Sequence, residues 1–260
     1  MNQVSWAQDD VRRTWHALSA RKPFVYGQTN YIAAALSANV LLAAGAVTAI
    51  GAIPSAIEIF AGGADAIWIN AAAQVTDTPE QLLAAARVAR ERAIPWVLDP
   101  VAMGAGAAAY DAVITQLLAC RPTVIRGNAS ELMALAGGQG GTKGVEATVS
   151  PEAALAAARD LARRSGAVVA ISGPVDHITD GDTVGLVTGG SPMLTRVTGA
   201  GCSLGALVAA LLPVAGTPLH AASVAHAAYA VAAERAAARA RGPASFTLEF
   251  VDELSRLAET

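Results

Sequence analysis

The stretch Thr195-Arg196-Val197-Thr198-Gly199-Ala200-Gly201-Cys202-Ser203-Leu204-Gly205-Ala206-Leu207 sets a Gly-x-Gly turn directly before an alanine- and leucine-rich helical pattern. Such a turn leaves backbone N–H groups unpaired at the mouth of a helix, where they can hold an anion. Glycine lets a ligand approach the main chain closely, and the helix dipole favours negative charge there. Cys202, one of two cysteines in the chain, sits just behind the turn. The segment reads as a phosphate or oxyanion site with a candidate acid–base group beside it. Taken alone, the same glycines suit a tight turn that serves only packing, so the surroundings decide.

Outward from this turn, short β-rich runs alternate with longer helical stretches. Strands are expected at 46–50, 66–70, 96–98, 123–126 and 168–172. Continuous apolar strands separated by helices imply an α/β fold, with a central mostly parallel sheet flanked by helices on both faces. Thr78-Pro79-Glu80-Gln81 and Ser150-Pro151-Glu152 each read as an N-cap followed by proline in the first helical turn. Segments 174–179 and 183–187, joined by Asp180-Gly181-Asp182, look like a β-hairpin. Helices are expected at 202–212 and 219–241, with a shorter one near 248–257. The glycine-rich 137–141 reads as a flexible loop. No linker or internal repeat divides the chain, so 1–260 is expected to be one domain.

Composition narrows the function. Hydrophobic residues make up 53% and charged residues 15%, with alanine supplying much of the apolar content. A net charge of −3 gives no basic footprint for nucleic acid, and 5% aromatic content offers no base-stacking surface. The N-terminus carries Asp9, Asp10, Arg12 and Arg13 and lacks the basic start and apolar centre of a signal peptide. With Cys120 and Cys202 far apart, a reducing cytoplasm is the expected compartment. The charge-free run 23–57 raises a membrane question. Its Gln28, Asn30, Asn39, Pro54 and glycines fit a buried helix, a turn and a buried strand better, or a subunit interface.

The distinctive polar residues fall at expected strand ends, where ligands bind in open α/β sheets. Asp99-Pro100 closes one strand, Arg126-Gly127-Asn128-Ala129-Ser130-Glu131 the next, and Ser172-Gly173 a third. Together with the Gly-Ala-Gly-Cys turn they supply a cation, carboxylates, a hydroxyl and amide dipoles. That inventory suits phosphoryl transfer, which needs charge held on phosphate oxygens and a metal to bridge them. Asp99 and Glu131 are candidate magnesium ligands, direct or through water. Arg126 offers a planar fork to phosphate. The alternative for Asp99 is a turn cap, and for Asn128 or Ser130 a helix N-cap. The two lysines, Lys22 and Lys143, lack Walker A spacing, so a P-loop enzyme is excluded. The four histidines, His16, His177, His220 and His226, lack metal-ligand spacing and read as structural. Neither HExxH nor a Gly-x-Ser-x-Gly elbow occurs.

These residues resemble the hydroxyethylthiazole kinase family of the ribokinase-like superfamily, over nearly the whole chain. The likeness runs through Thr29-Asn30-Tyr31 with Ala38-Asn39, Leu41-Leu42-Ala43-Ala44-Gly45-Ala46, and Leu98-Asp99-Pro100-Val101. It continues through Ile125-Arg126-Gly127-Asn128-Ala129-Ser130-Glu131, Lys143-Gly144-Val145-Glu146 and Ile171-Ser172-Gly173-Pro174-Val175-Asp176. It ends with Val197-Thr198-Gly199-Ala200-Gly201-Cys202 and Gly242-Pro243-Ala244-Ser245-Phe246. The resemblance implies magnesium- and ATP-dependent phosphorylation of 4-methyl-5-(2-hydroxyethyl)thiazole by a homotrimer with active sites between subunits. It implies ATP contacts from Arg126, Ser172, Asn128 and Gly201, and a thiazole pocket lined by Ile50, Gly199 and Asn30. Cys202 would take the catalytic-base position, with a thiol made more acidic by the helix N-terminus. Asn128 and Glu131 would organise phosphates and metal. Ile50 stands where the family usually has methionine, and Ser172 where it has threonine. Tyr26 stands in a segment where a histidine-containing version is common, so Tyr26 and Ile50 are both expected at the acceptor pocket. The rival readings are a kinase of a related alcohol such as hydroxymethylpyrimidine, a nucleotide-dependent hydrate dehydratase and a silent ligand sensor. The last two fit Cys202, Arg126 and Glu131 less well.

Overall fold

A computed structural model describes residues 1–51, 54–137 and 151–259. Its strands are β1 (Asn2–Val4), β2 (Phe24–Gln28), β3 (Val47–Ile50), β4 (Ala66–Asn70), β5 (Trp96–Asp99), β6 (Val124–Asn128), β7 (Val168–Ser172), β8 (Val175–Thr179) and β9 (Val184–Thr188). They form one sheet in the order β1-β9-β8-β7-β6-β5-β4-β2-β3. Pairing is parallel except for β7–β8 and β8–β9, which run antiparallel as the hairpin reading requires. Asp180 Oδ1 holds that hairpin's turn by accepting from the N–H groups of Asp182 and Thr183.

The helices are α1 (Asp9–Arg21), α2 (Tyr31–Ala43), α3 (Ile57–Gly62), α4 (Pro79–Glu91), α5 (Ala108–Ala119), α6 (Ala129–Leu135), α7 (Pro151–Ser165), α8 (Ala200–Leu211), α9 (Pro218–Arg239) and α10 (Pro243–Glu259). Period-two alternation sends successive strand residues to opposite faces. Val25, Trp68 and Val97 therefore pack with α1, α2, α8, α9 and α10. Tyr26, Ile67, Ile69, Trp96 and Leu98 pack with α3, α4 and α5, and Ile125, Val169 and Ile171 with α6 and α7. Helices thus cover both faces, as the continuous apolar strands imply.

Local chemistry explains several boundaries. The expected cap at Thr78 is a full capping box: Gln81 N–H donates to Thr78 Oγ1 and Thr78 N–H to Gln81 Oε1. The second expected cap, Ser150, and most of 137–141 lie outside the described residues. Strands β5 and β6 run one and two residues further than expected, so Asp99 and Asn128 are the last residues of their strands. Two strands escape the pattern. β1 is only three residues long, and β2 heads the charge-free run ahead of the buried helix α2. α10 begins at Pro243, earlier than expected, because Ser245 Oγ accepts from the N–H groups of Arg241 and Gly242 and fastens its start.

α8 is buried along almost its whole length and lies against the sheet through a glycine. A Cβ built on Gly205 would stand 2.8 Å from Trp68 Nε1 and 3.0 Å from Asp99 Oδ2. Both neighbours are fully buried, so neither can swing away. Gly205→Ala should therefore destabilise the protein by about 1–3 kcal/mol. Chemical denaturation checks this, with a midpoint unchanged from the parent protein contradicting the tight approach.

Candidate active site

The mouth of α8 is built by Gly199. Its φ of 85° is left-handed, and a Cβ there would approach Ala33 Cα to 3.2 Å, so glycine is needed for both conformation and space. The helix has no side-chain cap; Ala200 N–H turns back to the Val197 carbonyl, which leaves the Gly201 and Cys202 amides for a ligand. That turn is immobilised from behind. Tyr229 of α9 and Ser203 both donate to the Ala200 carbonyl, and their hydroxyls meet at 2.8 Å.

Arg126, the third of the five residues of β6, lies across this mouth. A Cβ on Gly201 would sit 3.6 Å from its Nη1 and 3.8 Å from its Nη2. The guanidinium donates to Ser172 Oγ from Nε (3.2 Å) and Nη2 (2.8 Å). Its Nη1 stands 3.7 Å from Asp99 Oδ2. Parallel registers make this possible, since Asn70 pairs Asp99 across β4–β5 and Asn128 pairs Ser172 across β6–β7. The fork has five N–H donors, so hydrogens remain for an incoming oxyanion.

Asp99 is fully buried, and neither of its oxygens has a hydrogen-bond partner. Burial pushes its carboxyl up to about 7; Arg126 pulls it down and Glu131 pushes it further up. Glu131 is held differently. Its Oε2 accepts from Asn128 N–H and its Oε1 from Ala102 N–H, while Asn128 Oδ1 accepts from Glu131 N–H. Asn128 is thus the N-cap of α6, the alternative its sequence position left open. Its side-chain oxygen is committed to that role.

These carboxylates fit a cation unequally. Asp99 presents two orphaned buried oxygens, whereas both Glu131 oxygens already accept an amide and suit a hydrated ion's water ligands better than direct contact. Among the described residues no three His, Cys, Asp or Glu side chains converge as a self-sufficient metal site. Magnesium is commonly held by one or two carboxylates plus substrate phosphates, and this donor set fits that mode.

Cys202 corrects an expectation. Its place at a helix N-terminus should favour the thiolate, yet burial pushes the thiol up to about 11. The Asp99 and Glu131 charges add to the rise, against the Asn70 side chain and Arg126. Desolvation outweighs the dipole, so the thiol is protonated at neutral pH. Asn70 was missed in the sequence; it ends β4 as a buried amide whose Oδ1 also caps the next turn at Ala72. Its only sequence signal is its place at a strand end.

The expected acceptor residues fall on the α8 face. Ile50 is half-buried and packs with the α8 core. Gly27 makes room beside it, since a Cβ there would meet Trp68 Cε3 at 3.0 Å and Ile50 Cγ1 at 3.3 Å. Asn30 caps α2 by accepting from Ala33 N–H, and Gly199 abuts the same Ala33. Tyr26 does not join them. One residue out of phase with Gly27, it packs on the opposite face and stacks on Phe60. Its hydroxyl donates to the Gly51 carbonyl, just beyond β3.

Comparison with known proteins agrees with this arrangement. Residues 15–260 match the model of the hydroxyethylthiazole kinase family. A hydroxyethylthiazole kinase of Burkholderia pseudomallei (strain 668) is 61% identical over 257 residues, covering 99% of this chain and 93% of that protein. One of Leptospira borgpetersenii is 41% identical, covering 98% and 96%. The solved hydroxyethylthiazole kinase of Pyrococcus horikoshii OT3 superposes with a TM-score of 0.86 at 32% identity, covering 96% of this chain and 94% of its own. An ADP/ATP-dependent NAD(P)H-hydrate dehydratase of Bacillus subtilis, at 16% identity and a TM-score of 0.63, shares the fold over 100% of this chain and 99% of its own. With its nearly full-length match and its polar strand ends gathered at the mouth of α8, the chain belongs to the hydroxyethylthiazole kinase family.

Proposed function

We propose that this protein, acting as a single kinase domain, transfers the γ-phosphoryl group of ATP to the hydroxyl of 4-methyl-5-(2-hydroxyethyl)thiazole. The observation that carries this reading is Arg126 pinned by Ser172 and Asp99 across the uncapped first turn of α8. The alcohol oxygen forms a bond to the γ-phosphorus as the bond to the β-phosphate oxygen breaks; ADP leaves, and the hydroxyl proton passes to an oxygen of the transferred phosphoryl group and from there to water. Charge spread over the transferring oxygens meets the amides at Gly201 and Cys202 and the Arg126 guanidinium, all fixed beforehand. Ser172 aims that guanidinium, and the Asn128–Glu131 box fixes the strand-to-helix turn beside it. Magnesium, for which Asp99 and, through water, Glu131 are the fitting ligands, would neutralise phosphate charge. Ile50, Gly199 and Asn30 would face the thiazole.

Membership of the family favours this reading over hydroxymethylpyrimidine or a hydrated nicotinamide cofactor as substrate. ATP consumption should be stimulated by the thiazole alcohol well above either alternative, and a stronger response to one of them would replace the assignment. Arg126→Ala should weaken ATP binding at least about tenfold, the worth of a charge-assisted hydrogen bond. Calorimetry showing undiminished affinity would remove the residue from the nucleotide site.

Cys202 enters as a helpful group rather than an indispensable base. A thiol near 11 yields a thiolate fraction that grows tenfold per pH unit through neutrality. A rate that depended on it would climb with the same slope. We expect kcat to stay nearly flat between pH 7 and 9, measurable turnover in Cys202→Ala, and activity in Cys202→Asp. A unit slope in log kcat together with a dead alanine variant would make the thiolate essential.

A homotrimer with active sites between subunits is part of this proposal. It is supported by the apolar edge formed by α2, β3 and α3, where Tyr31, Ile32, Leu42 and Ile59 are all more than half exposed. Light scattering should return three times the 26.2 kDa chain mass, and a monomer at working concentration would remove the shared site. Both described cysteines are unpaired, and no helix among the described residues is long and apolar enough to cross a membrane. A cytoplasmic location is proposed on the free thiols.

A further inference from the structure

The Arg126–Ser172 contact is continued by a chain of hydrogen bonds that reaches α9. Gly173, next to Ser172, donates its N–H to Asp176 Oδ1 at 2.9 Å. Asp176 Oδ2 meets His226 Nδ1 at 2.7 Å. His226 projects from α9 with no exposed surface, and its Nε2 has no hydrogen-bond partner. Nδ1 faces a carboxylate and donates to it, while Nε2 is left without a partner in the core. A buried polar atom without a partner is costly, so packing alone would favour an apolar side chain here. The imidazole is explained by what its other nitrogen holds.

What it holds is the tip of the β7–β8 hairpin. Gly173 and Pro174 are exposed, and the connection between the two strands contains only these residues. Asp176 ties this turn down one residue from the hydroxyl that receives Arg126. Burial pushes Asp176 up, but His226, the Gly173 N–H and Arg126 outweigh it and hold its carboxyl below the usual range.

We propose that Asp176 and His226 are a positioning pair that fixes the Gly173 turn, and through it the Ser172 hydroxyl that aims Arg126 at the nucleotide phosphates. Neither residue touches the reacting atoms. The inference rests on the reading of Arg126 as a nucleotide-binding residue.

The test measures KM for ATP and kcat separately in Asp176→Ala, Asp176→Asn and His226→Leu, using the full chain and the thiazole alcohol. Loss of one positioned hydrogen bond should raise KM for ATP roughly three- to tenfold in Asp176→Ala and His226→Leu. A variant that is merely less folded lowers kcat in proportion to the enzyme lost and leaves KM alone. Asp176→Asn can still accept from Gly173 and can donate to His226 once the ring proton moves to Nε2. It should recover most of the affinity lost in Asp176→Ala. KM for ATP within twofold of the parent in both Asp176→Ala and His226→Leu would overturn the proposal, as would an asparagine variant as impaired as the alanine one. Should His226→Leu fail to fold, the alanine–asparagine comparison decides alone. A parent protein that does not turn over ATP with the alcohol would instead refute the kinase reading beneath it.

Discussion

The structure depends on one buried cation. Arg126 is almost entirely removed from water within β6, and a charge so placed must be paired and hydrogen-bonded. Its neighbours follow from that need: Asp99 from one adjoining strand, Ser172 from the other, and Glu131 and Asp176 within electrostatic reach. Breaking any of these contacts leaves a charge stranded, so the strand ends are tied to one another. The parallel register of β5, β6 and β7 carries those ties. A guanidinium fixed in this way needs little rearrangement when an oxyanion arrives, which is the physical basis of electrostatic preorganisation.

The small residues serve the same end. Alanine-rich helices approach closely, and α8 packs against α2, α9 and the middle of the sheet with hardly any side-chain bulk between them. Gly205 brings α8 down onto Trp68 and Asp99, and Gly199 turns the chain past Ala33. Larger residues would lift the helix and with it the amides of its first turn. The charge-poor composition, which first raises the question of a membrane, is better understood as the price of this close approach.

Much of this was legible in the residues. β4 through β7 read as continuous apolar runs because both of their faces are covered, and the Thr78 box is a local code that needs no tertiary context. β2 was hidden because Phe24-Val25-Tyr26-Gly27-Gln28 adjoins a buried helix with no charge between them to mark a boundary. The candidate site residues stand out in the sequence because they fall at or near strand ends, yet their individual states do not. Cys202 reads as an activated thiol when the helix dipole is considered alone, and only the fold shows how far it is desolvated. Tyr26 reads as a pocket residue because the family it resembles commonly carries a histidine in this segment, but it lies on the sheet face away from α8. Asp176 and His226 are 50 positions apart, and nothing in their spacing announces a pair.

The charge balance of the site adds a last constraint. Arg126 is influenced by Asp99, Glu131, Asp176 and Cys202, so one cation faces three carboxylates, of which Asp176 is also hydrogen-bonded to His226. In the proposed reaction a nucleoside triphosphate would bring several more negative charges into the same enclosure. Amide dipoles at α8 supply roughly half a unit of positive charge, too little to offset that excess. The protein's own groups can therefore orient phosphates but cannot neutralise them. In the proposed reaction a divalent cation arriving with the nucleotide would resolve the deficit, and Asp99, whose burial already makes its ionised form expensive, would gain most from its arrival.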